Sequence, residues 1–391
     1  MTLAPFSVYV HVPFCAQKCP YCDFNTYAVE RAPEKEYVAA LCRELEGHAE
    51  SGLVEGRKVK TVFFGGGTPS LFCGDSIATI MQCISGHFGI EHDAEVTLEA
   101  NPNHADATRL PEFRAAGINR ISFGVQSFQE KYLQLLGRNH SAEEARKAVE
   151  RAVVAGIENI SVDLIYGLPG QSLAELTEDL QAASDLPIKH LSTYSLTIEP
   201  GTPFFQRQER GLLRMPQDAL VAEMLESIPQ ELGAEGFQRY EISNYARVGC
   251  ESRHNSVYWI GGDYLGVGAG AHSYVACYSA EGQLESAKRW STLALPATYI
   301  KGVEADTAIS WRETLNSEAL SFEFFYLGLR RMEGVTRSRF CVLFGEEALQ
   351  RYEPLLRELA DEGFLVLEDD AIQLTTQGIA LADSVFERLS G

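Results

Sequence analysis

What this chain lacks narrows it before any motif is read. Its 391 residues contain no run long and apolar enough to span a bilayer. The opening residues carry neither a basic stretch nor an apolar core, so no signal peptide is expected. Positive charge is scarce: 33 Lys and Arg stand against 54 Asp and Glu, giving a formal net charge of −21. Such a surface repels phosphate backbones and anionic lipid head groups, and no basic cluster offsets it. Neither nucleic-acid binding nor stable membrane insertion is therefore expected. Residues 306–391 contain no lysine at all, and 16 acidic residues there face 8 basic ones. Internal repeats and low-complexity segments are absent too. These exclusions leave a cytoplasmic globular protein, in a compartment that keeps thiols reduced. Its nine cysteines then read as metal ligands and buried free thiols, not disulfides.

What is present has an ordered pattern. Six strand-like runs recur: Ser7–Val12, Lys60–Gly65, Glu95–Ala100, Arg120–Val125, Asn159–Tyr166 and His190–Ile198. Helix-type stretches separate them, with apolar residues at three- and four-residue spacing. One begins at Ser141 with Glu144 three residues on, a capping-box signature. Repeated β-then-α units predict an α/β fold with a parallel sheet. Cys15, Gly65–Gly67, Glu99, Gln126 and Asp163 fall at or near the ends of different strands, which favours a barrel or partial barrel over a doubly wound sheet. Residues 306–391 read as helices, a short hairpin and a last helix, a winged-helix-like pattern. Their acidity argues against DNA binding. Three regions are expected: a barrel over 1–235, a connecting region over 236–305 and a C-terminal domain over 306–391.

The sharpest signal is "HVPFCAQKCPYCDFNTY", which places Cys15, Cys19 and Cys22 in a C-x3-C-x2-C array. Phe24 stands where a further thiol would be. A structural zinc site closes with four ligands. A [4Fe–4S] cluster held by three cysteines instead leaves one iron open to a ligand. By spacing alone, iron–sulfur is favoured over zinc, and zinc over unliganded thiols. Cys42, Cys73, Cys83, Cys277 and Cys341 read as small core residues.

"FFGGGTPS", Phe63–Ser70, follows the second strand. Three glycines allow close approach of a ligand and predict backbone N–H groups pointing at it. It is neither a Walker A loop nor G-x-G-x-x-G. Glu99, Gln126, Asp163 and Arg138 add carboxylates for an ammonium or ribose hydroxyls and a guanidinium for a carboxylate. Together they describe a pocket for a zwitterion carrying a ribose. S-adenosylmethionine (SAM) fits, as do other nucleoside ligands.

The cysteine array with Tyr21 before its last thiol, followed by G-G-G-T-P after the next strand, resembles the radical SAM superfamily. "EANP", "GVQSF", "GRNH" and "DLIYGLPGQ" continue the resemblance in order, and the C-terminal domain extends it over the whole chain. It is similar to the coproporphyrinogen-oxidase-like branch, and there to the heme chaperones more than to the oxidases. Phe24, a start close to the first strand and "RHNSVYW" (Arg253–Trp259), which matches the HNxxYW motif of heme-binding members, favour that side. The resemblance implies a partial (β/α)6 barrel with a [4Fe–4S] cluster on Cys15, Cys19 and Cys22. Tyr9 and Tyr21 would line the cofactor site, and Gly66, Gly67 and Thr68 would meet the methionine amino end of SAM. Glu99, Gln126, Arg138 and Asp163 would complete the SAM contacts.

Residue chemistry alone makes His254 more often structural than a ligand; the resemblance makes it the first candidate for a heme iron. Cys250 and His272 are second and third, Arg253 suits a heme propionate, and His11 is expected to line the active site. The implied function is a heme chaperone serving a heme-receiving membrane hemoprotein of a respiratory chain. An oxygen-independent coproporphyrinogen III oxidase and a radical SAM heme methylase are the alternatives. The oligomeric state stays open, a homodimer included. The glycine-rich "GGDYLGVGAGAHSY" opens no βαβ unit and is not read as a dinucleotide site.

Overall fold

A computed structural model describes residues 4–103 and 109–390. Six strands run parallel in sequence order: β1 (Phe6–Val12), β2 (Val59–Gly66), β3 (Ile90–Ala100), β4 (Arg120–Gln126), β5 (Asn159–Tyr166) and β6 (His190–Ser195). β1 reads FSVYVHV and is buried on both faces save Tyr9, as a strand under crossover helices must be. The helices between and after the strands include α1 (Glu34–Glu50), α2 (Gly74–Phe88), α3 (Arg109–Ala115), α4 (Ala142–Val154), α5 (Leu173–Ser184) and α6 (Asp218–Ala234). Ser141 and Glu144 form the expected capping box on α4, and Ser172 and Glu175 form another on α5. The sixth strand stops at Ser195 instead of running to Ile198; the bond from Leu196 N–H to the Tyr166 carbonyl, 2.9 Å, closes its ladder with β5.

Two features of the sheet lie beyond the six-unit reading. After the short return strand β7 (Asn244–Ala246), antiparallel to β6, comes β8 (Tyr264–Val267), which pairs parallel with β1. It is a seventh parallel strand. From β8 an antiparallel meander continues the same sheet through β9 (His272–Tyr278), β10 (Leu284–Thr292) and β11 (Ile309–Asn316). With the two-residue strand Gln238–Arg239 beside β7, the sheet has 12 strands among the described residues, open and mixed. β11 falls inside the segment that the sequence reading gives to the C-terminal domain.

Helix α7 (Arg253–Trp259) carries the HNxxYW stretch. Glu95 of β3 accepts from the N–H groups of Arg253 at 3.1 Å and His254 at 2.9 Å, which fixes where this short helix begins. After α8 (Ser317–Gly328) the remaining helices enclose a small three-stranded sheet. That region has its own core, with Phe325, Phe340, Leu356, Ile372 and Phe386 all buried. It docks on the barrel by backbone bonds, Ile242 N–H to Arg330 O and Met332 N–H to Tyr240 O, each 3.0 Å. Among the described residues no helix is long and apolar enough to cross a membrane.

Candidate functional site

The C-terminal strand ends surround a cavity of about 450 Å³, within the range of about 300–1,000 Å³ usual for small-molecule sites. Cys15, Cys19 and Cys22 line it, with Tyr21, Gly66, Gly67, Thr68, Glu99, Gln126, Arg138 and Asp163. Tyr9 does not; it faces a second, deeper chamber.

The cysteine loop leaves β1 and is closed at its base. Tyr27 N–H bonds Pro13 O at 2.7 Å, and Val29 N–H bonds Cys15 O at 3.0 Å. Within it, Cys22 N–H turns back to Cys19 O at 3.2 Å. This brings the three free thiols to one mouth. Phe24 is 65% exposed and offers no fourth donor. Burial pushes the thiols of Cys15 and Cys22 up, while hydroxyl bonds from Thr68 and Thr26 pull Cys15 back. Arg138 Nη1 donates to Cys19 Sγ at 3.2 Å. Among the described residues, no three His, Cys, Asp or Glu side chains converge on a point where one metal ion could sit. A [4Fe–4S] cluster takes each thiolate on a different iron, so thiols spread around one mouth fit it.

Beside the thiols, the polar wall holds atoms without protein partners. Asn101 Oδ1 and Arg138 Nε are closed off from solvent and make no hydrogen bond among the described residues, and both residues line the cavity. Buried polar groups left this way mark a place for a ligand or water. Gln126 holds φ at 73°, rare for a residue with a side chain and a mark of strain at binding sites. Gly124 makes room: a Cβ there would lie 3.0 Å from Gln126 Nε2, and its carbonyl accepts from Arg138 Nη2 at 2.8 Å. Sequence reading missed Asn101, Ser122, Gly124 and Tyr194. Asn101 and Gly124 carried a signal, beside Glu99 in "EANP" and Gln126 in "GVQSF".

The glycine run does not act as expected. Its N–H groups are used inside the protein: Gly66 to Glu99 Oε2 at 3.1 Å, Gly67 to Val12 O and Thr68 to Phe14 O at 2.8 Å each. They do not point at a ligand. The glycines serve close packing instead, since a Cβ on Gly67 would lie 2.6 Å from Phe14 O. Carbonyls and the Glu99 carboxyl remain as acceptors, which is what an ammonium needs. Burial, then the charge of Asp163, pushes the Glu99 carboxyl up to about 8. Burial raises Asp163 as well.

Below this cavity lies a chamber of about 180 Å³, sharing Glu99, Ser122, Asp163 and Tyr194 with it. Its floor is α7, through His254, Asn255 and Tyr258. His254 is 1% exposed and both ring nitrogens are engaged, Nδ1 with Thr61 Oγ1 at 2.7 Å and Nε2 with Tyr258 OH at 2.9 Å. Burial drives its pKa down to about 3, so the ring is neutral. Neither nitrogen is free to take an iron, and the chamber is smaller than the ~300 Å³ at the low end of ligand sites. The expectation that His254 ligates heme therefore does not match this arrangement. Arg253 pairs with Asp93 at 3.3 Å on the surface. His11 is buried between Tyr9 OH at 2.9 Å and Asn25 O at 3.0 Å, lining neither space. Cys250 is half-buried, and its carbonyl accepts from Arg120 at 3.4 Å. His272 is exposed.

Three thiols on the loop after the first strand, above a polar cavity ringed by parallel strand ends, define a radical SAM barrel. Residues 9–183 match the radical SAM superfamily model, and residues 315–381 match the HemN C-terminal domain. A heme chaperone HemW of Escherichia coli is 38% identical over 388 residues, covering 98% of each chain. One of Bacillus subtilis is 36% identical over 389 residues, 98% of this chain and 99% of that one. The solved coproporphyrinogen III oxidase (HemN) of Escherichia coli superposes with a TM-score of 0.82 at 23% identity, over 98% of this chain and 90% of that one, which is a likeness of fold. This chain belongs to the HemW family within the radical SAM superfamily.

Proposed function

We propose that this protein is a heme chaperone of the cytoplasm that binds heme and passes it to a membrane hemoprotein of a respiratory chain. The observation that carries this is the end-to-end relationship to proteins named heme chaperone HemW. Cys15, Cys19 and Cys22 would hold a [4Fe–4S] cluster; Tyr21, Gly66, Gly67, Thr68, Glu99, Gln126, Arg138 and Asp163 would hold SAM. Bound there, the cluster supplies an electron for cleaving SAM. The chain's own part is to bind and shield. Glu99 and the carbonyls of the glycine turn accept from the ammonium, Asp163 and Gln126 suit the ribose, and the Arg138 guanidinium neutralises charge beside Cys19. Residues 1–235 would form the cofactor barrel, 236–305 the connection carrying α7 and strands that extend the same sheet, and 306–391 the docked domain, entered through β11 of that sheet.

A heme macrocycle needs a site outside both interior spaces. His272 is the exposed candidate, its ring 6.5 Å from the half-exposed Trp311, which offers a flat apolar face. Burial and the nearby Arg289 hold its pKa down, so it is neutral as iron ligation requires. The test has two arms. Hemin titration should lose its Soret shift in His272→Ala and keep it in His254→Ala; the reverse would mean that α7 opens on binding. Mass spectrometry of an anaerobic reaction with SAM, a reductant and coproporphyrinogen III should find the porphyrinogen intact. Loss of two carboxyl groups from it would make the protein an oxidase.

A further inference from the structure

No residue of the glycine-rich segment 261–271 lines either interior space. Its turn between β8 and β9 instead receives the cysteine loop. Asn25, three residues after Cys22, inserts its amide between two backbone turns. Nδ2 donates to Ala269 O at 2.9 Å and to Ala294 O at 3.1 Å. Oδ1 accepts from Tyr27 OH at 2.9 Å, and the Asn25 carbonyl accepts from His11 Nε2 at 3.0 Å. Every polar group of the Asn25 side chain is thus used, between segments more than 240 residues apart in sequence. The receiving turn is itself anchored: Gly268 N–H bonds Glu44 Oε2 at 2.9 Å, and Ala269 N–H bonds Tyr37 OH at 2.7 Å.

Two glycines make the approach possible. Gly270 has φ +79°, and a Cβ on it would lie 2.3 Å from Asn25 Nδ2. Gly268 has φ +107°, and a Cβ on it would lie 2.4 Å from His11 O. A side chain at either position would push against the base of the cysteine loop.

We propose that Asn25 is a positioning residue for the cluster and that the turn Gly268–Ala271 is its socket. The socket fixes the far end of the loop and so the place of Cys22 relative to Cys15. It also joins the cluster loop to β8, the strand that follows α7, so a shift of that region reaches the thiols by a bonded path. This rests on the proposed cluster at Cys15, Cys19 and Cys22.

The test compares full-length protein, Asn25→Ala, Gly270→Ala and the double variant, all reconstituted anaerobically. It reads iron and sulfide per chain, the rate of iron release to a chelator, the change that SAM causes in the EPR spectrum of the reduced cluster, and the melting temperature of the cluster-free chain. The unaltered protein should hold iron and respond to SAM. Asn25→Ala should melt within a few degrees of it, yet release iron severalfold faster and respond less to SAM. Gly270→Ala should do the same by expelling Asn25, and the double variant should release iron no faster than Gly270→Ala alone. Unchanged iron release and an unchanged SAM response in Asn25→Ala would overturn the proposal while leaving the cluster in place. An unaltered protein without iron would remove the cluster reading itself, and the proposal with it. Should Asn25→Ala fail to fold, Tyr27→Phe removes the hydroxyl that lies on Asn25 Oδ1 at 2.9 Å and on Ala294 O at 3.3 Å, and unchanged iron release there would equally overturn it.

Discussion

At the rim of the barrel, Asn101 Oδ1 and Arg138 Nε are enclosed without a partner among the described residues, Gln126 sits at φ 73° and the charge of Asp163 adds to burial in raising the Glu99 carboxyl. At its floor, Glu95 caps two N–H groups of α7, His254 uses both nitrogens, and Thr61 passes its bond on to Ser7 Oγ at 2.8 Å. The residue types are alike at both ends. Their satisfaction is not. Unmet polar groups and backbone strain cost stability, and a fold retains them where a ligand completes them. Thr97 Oγ1 and Trp259 Nε1 nearby make no hydrogen bond among the described residues, but the His254 network, with both ring nitrogens partnered, is built to stay as it is.

The largest test of this contrast is at the rim. Cys19→Ser should abolish the brown chromophore of anaerobically prepared protein while the melting temperature of the cluster-free chain hardly moves. Unchanged iron content would refute the assignment. At the floor the pattern should invert. His254→Ala takes one of the two partners of Thr61 Oγ1 and the His254 partner of Tyr258 OH, and opens a void, at a cost of about 2–4 kcal/mol. Urea denaturation should record that loss, with iron content unchanged in the folded fraction. A stability equal to the unaltered protein would mean that the floor is a ligand site after all.

The sequence reading was better at one kind of feature than the other. Long apolar runs and the Ser141–Glu144 pair depend on local chemistry, and the six strands and the cap are present as expected, with the third strand longer and the sixth shorter than read. β8 escaped because it has four residues, one of them Gly266, and is a strand only through its pairing with β1. The glycine run was recognised as close packing with a ligand when its close neighbour is Phe14 of the same chain. His254 shows the limit plainly: a histidine among aromatics reads the same whether it offers a nitrogen or buries it. Direction is decided by Thr61, 193 residues away, and no local pattern carries that.

A smaller effect at the rim has the opposite sign to ordinary damage. Glu99 keeps its proton when folded up to about pH 8, whereas an exposed carboxyl loses it near 4.5. The folded state therefore binds the extra proton between these values, and its stability falls as pH rises from about 4.5 to about 8. Glu99→Gln should remove that loss. The cofactor-free variant should be more stable than the unaltered protein by about 1–3 kcal/mol at pH 8, with little difference at pH 5. The same change should end SAM binding. In the unaltered protein SAM should bind more tightly as pH is raised toward 8, because a cationic ligand favours the ionised carboxylate and displaces its proton. Binding that is flat between pH 6 and 8 would show that Glu99 does not face the ligand's charge.

The mildest test lies where the floor meets the docked domain. Arg330 lies over Trp259 of α7 at 5.2 Å, over Phe386 at 5.6 Å and over Tyr326 at 5.9 Å, with Nε unpartnered among the described residues. A guanidinium spreads its charge over a plane and sheds water readily, so three rings can share it; an ammonium is compact and holds its water. Arg330→Lys keeps the charge and loses the stacking, and should cost about 1 kcal/mol. In calorimetry that is a shift of about 2–4 °C. Iron content, SAM response and hemin titration should all stay unchanged, since no group at the rim is touched. A loss of the SAM response in this variant would mean that floor and rim are coupled, and that the packing of the floor serves the ligand above it.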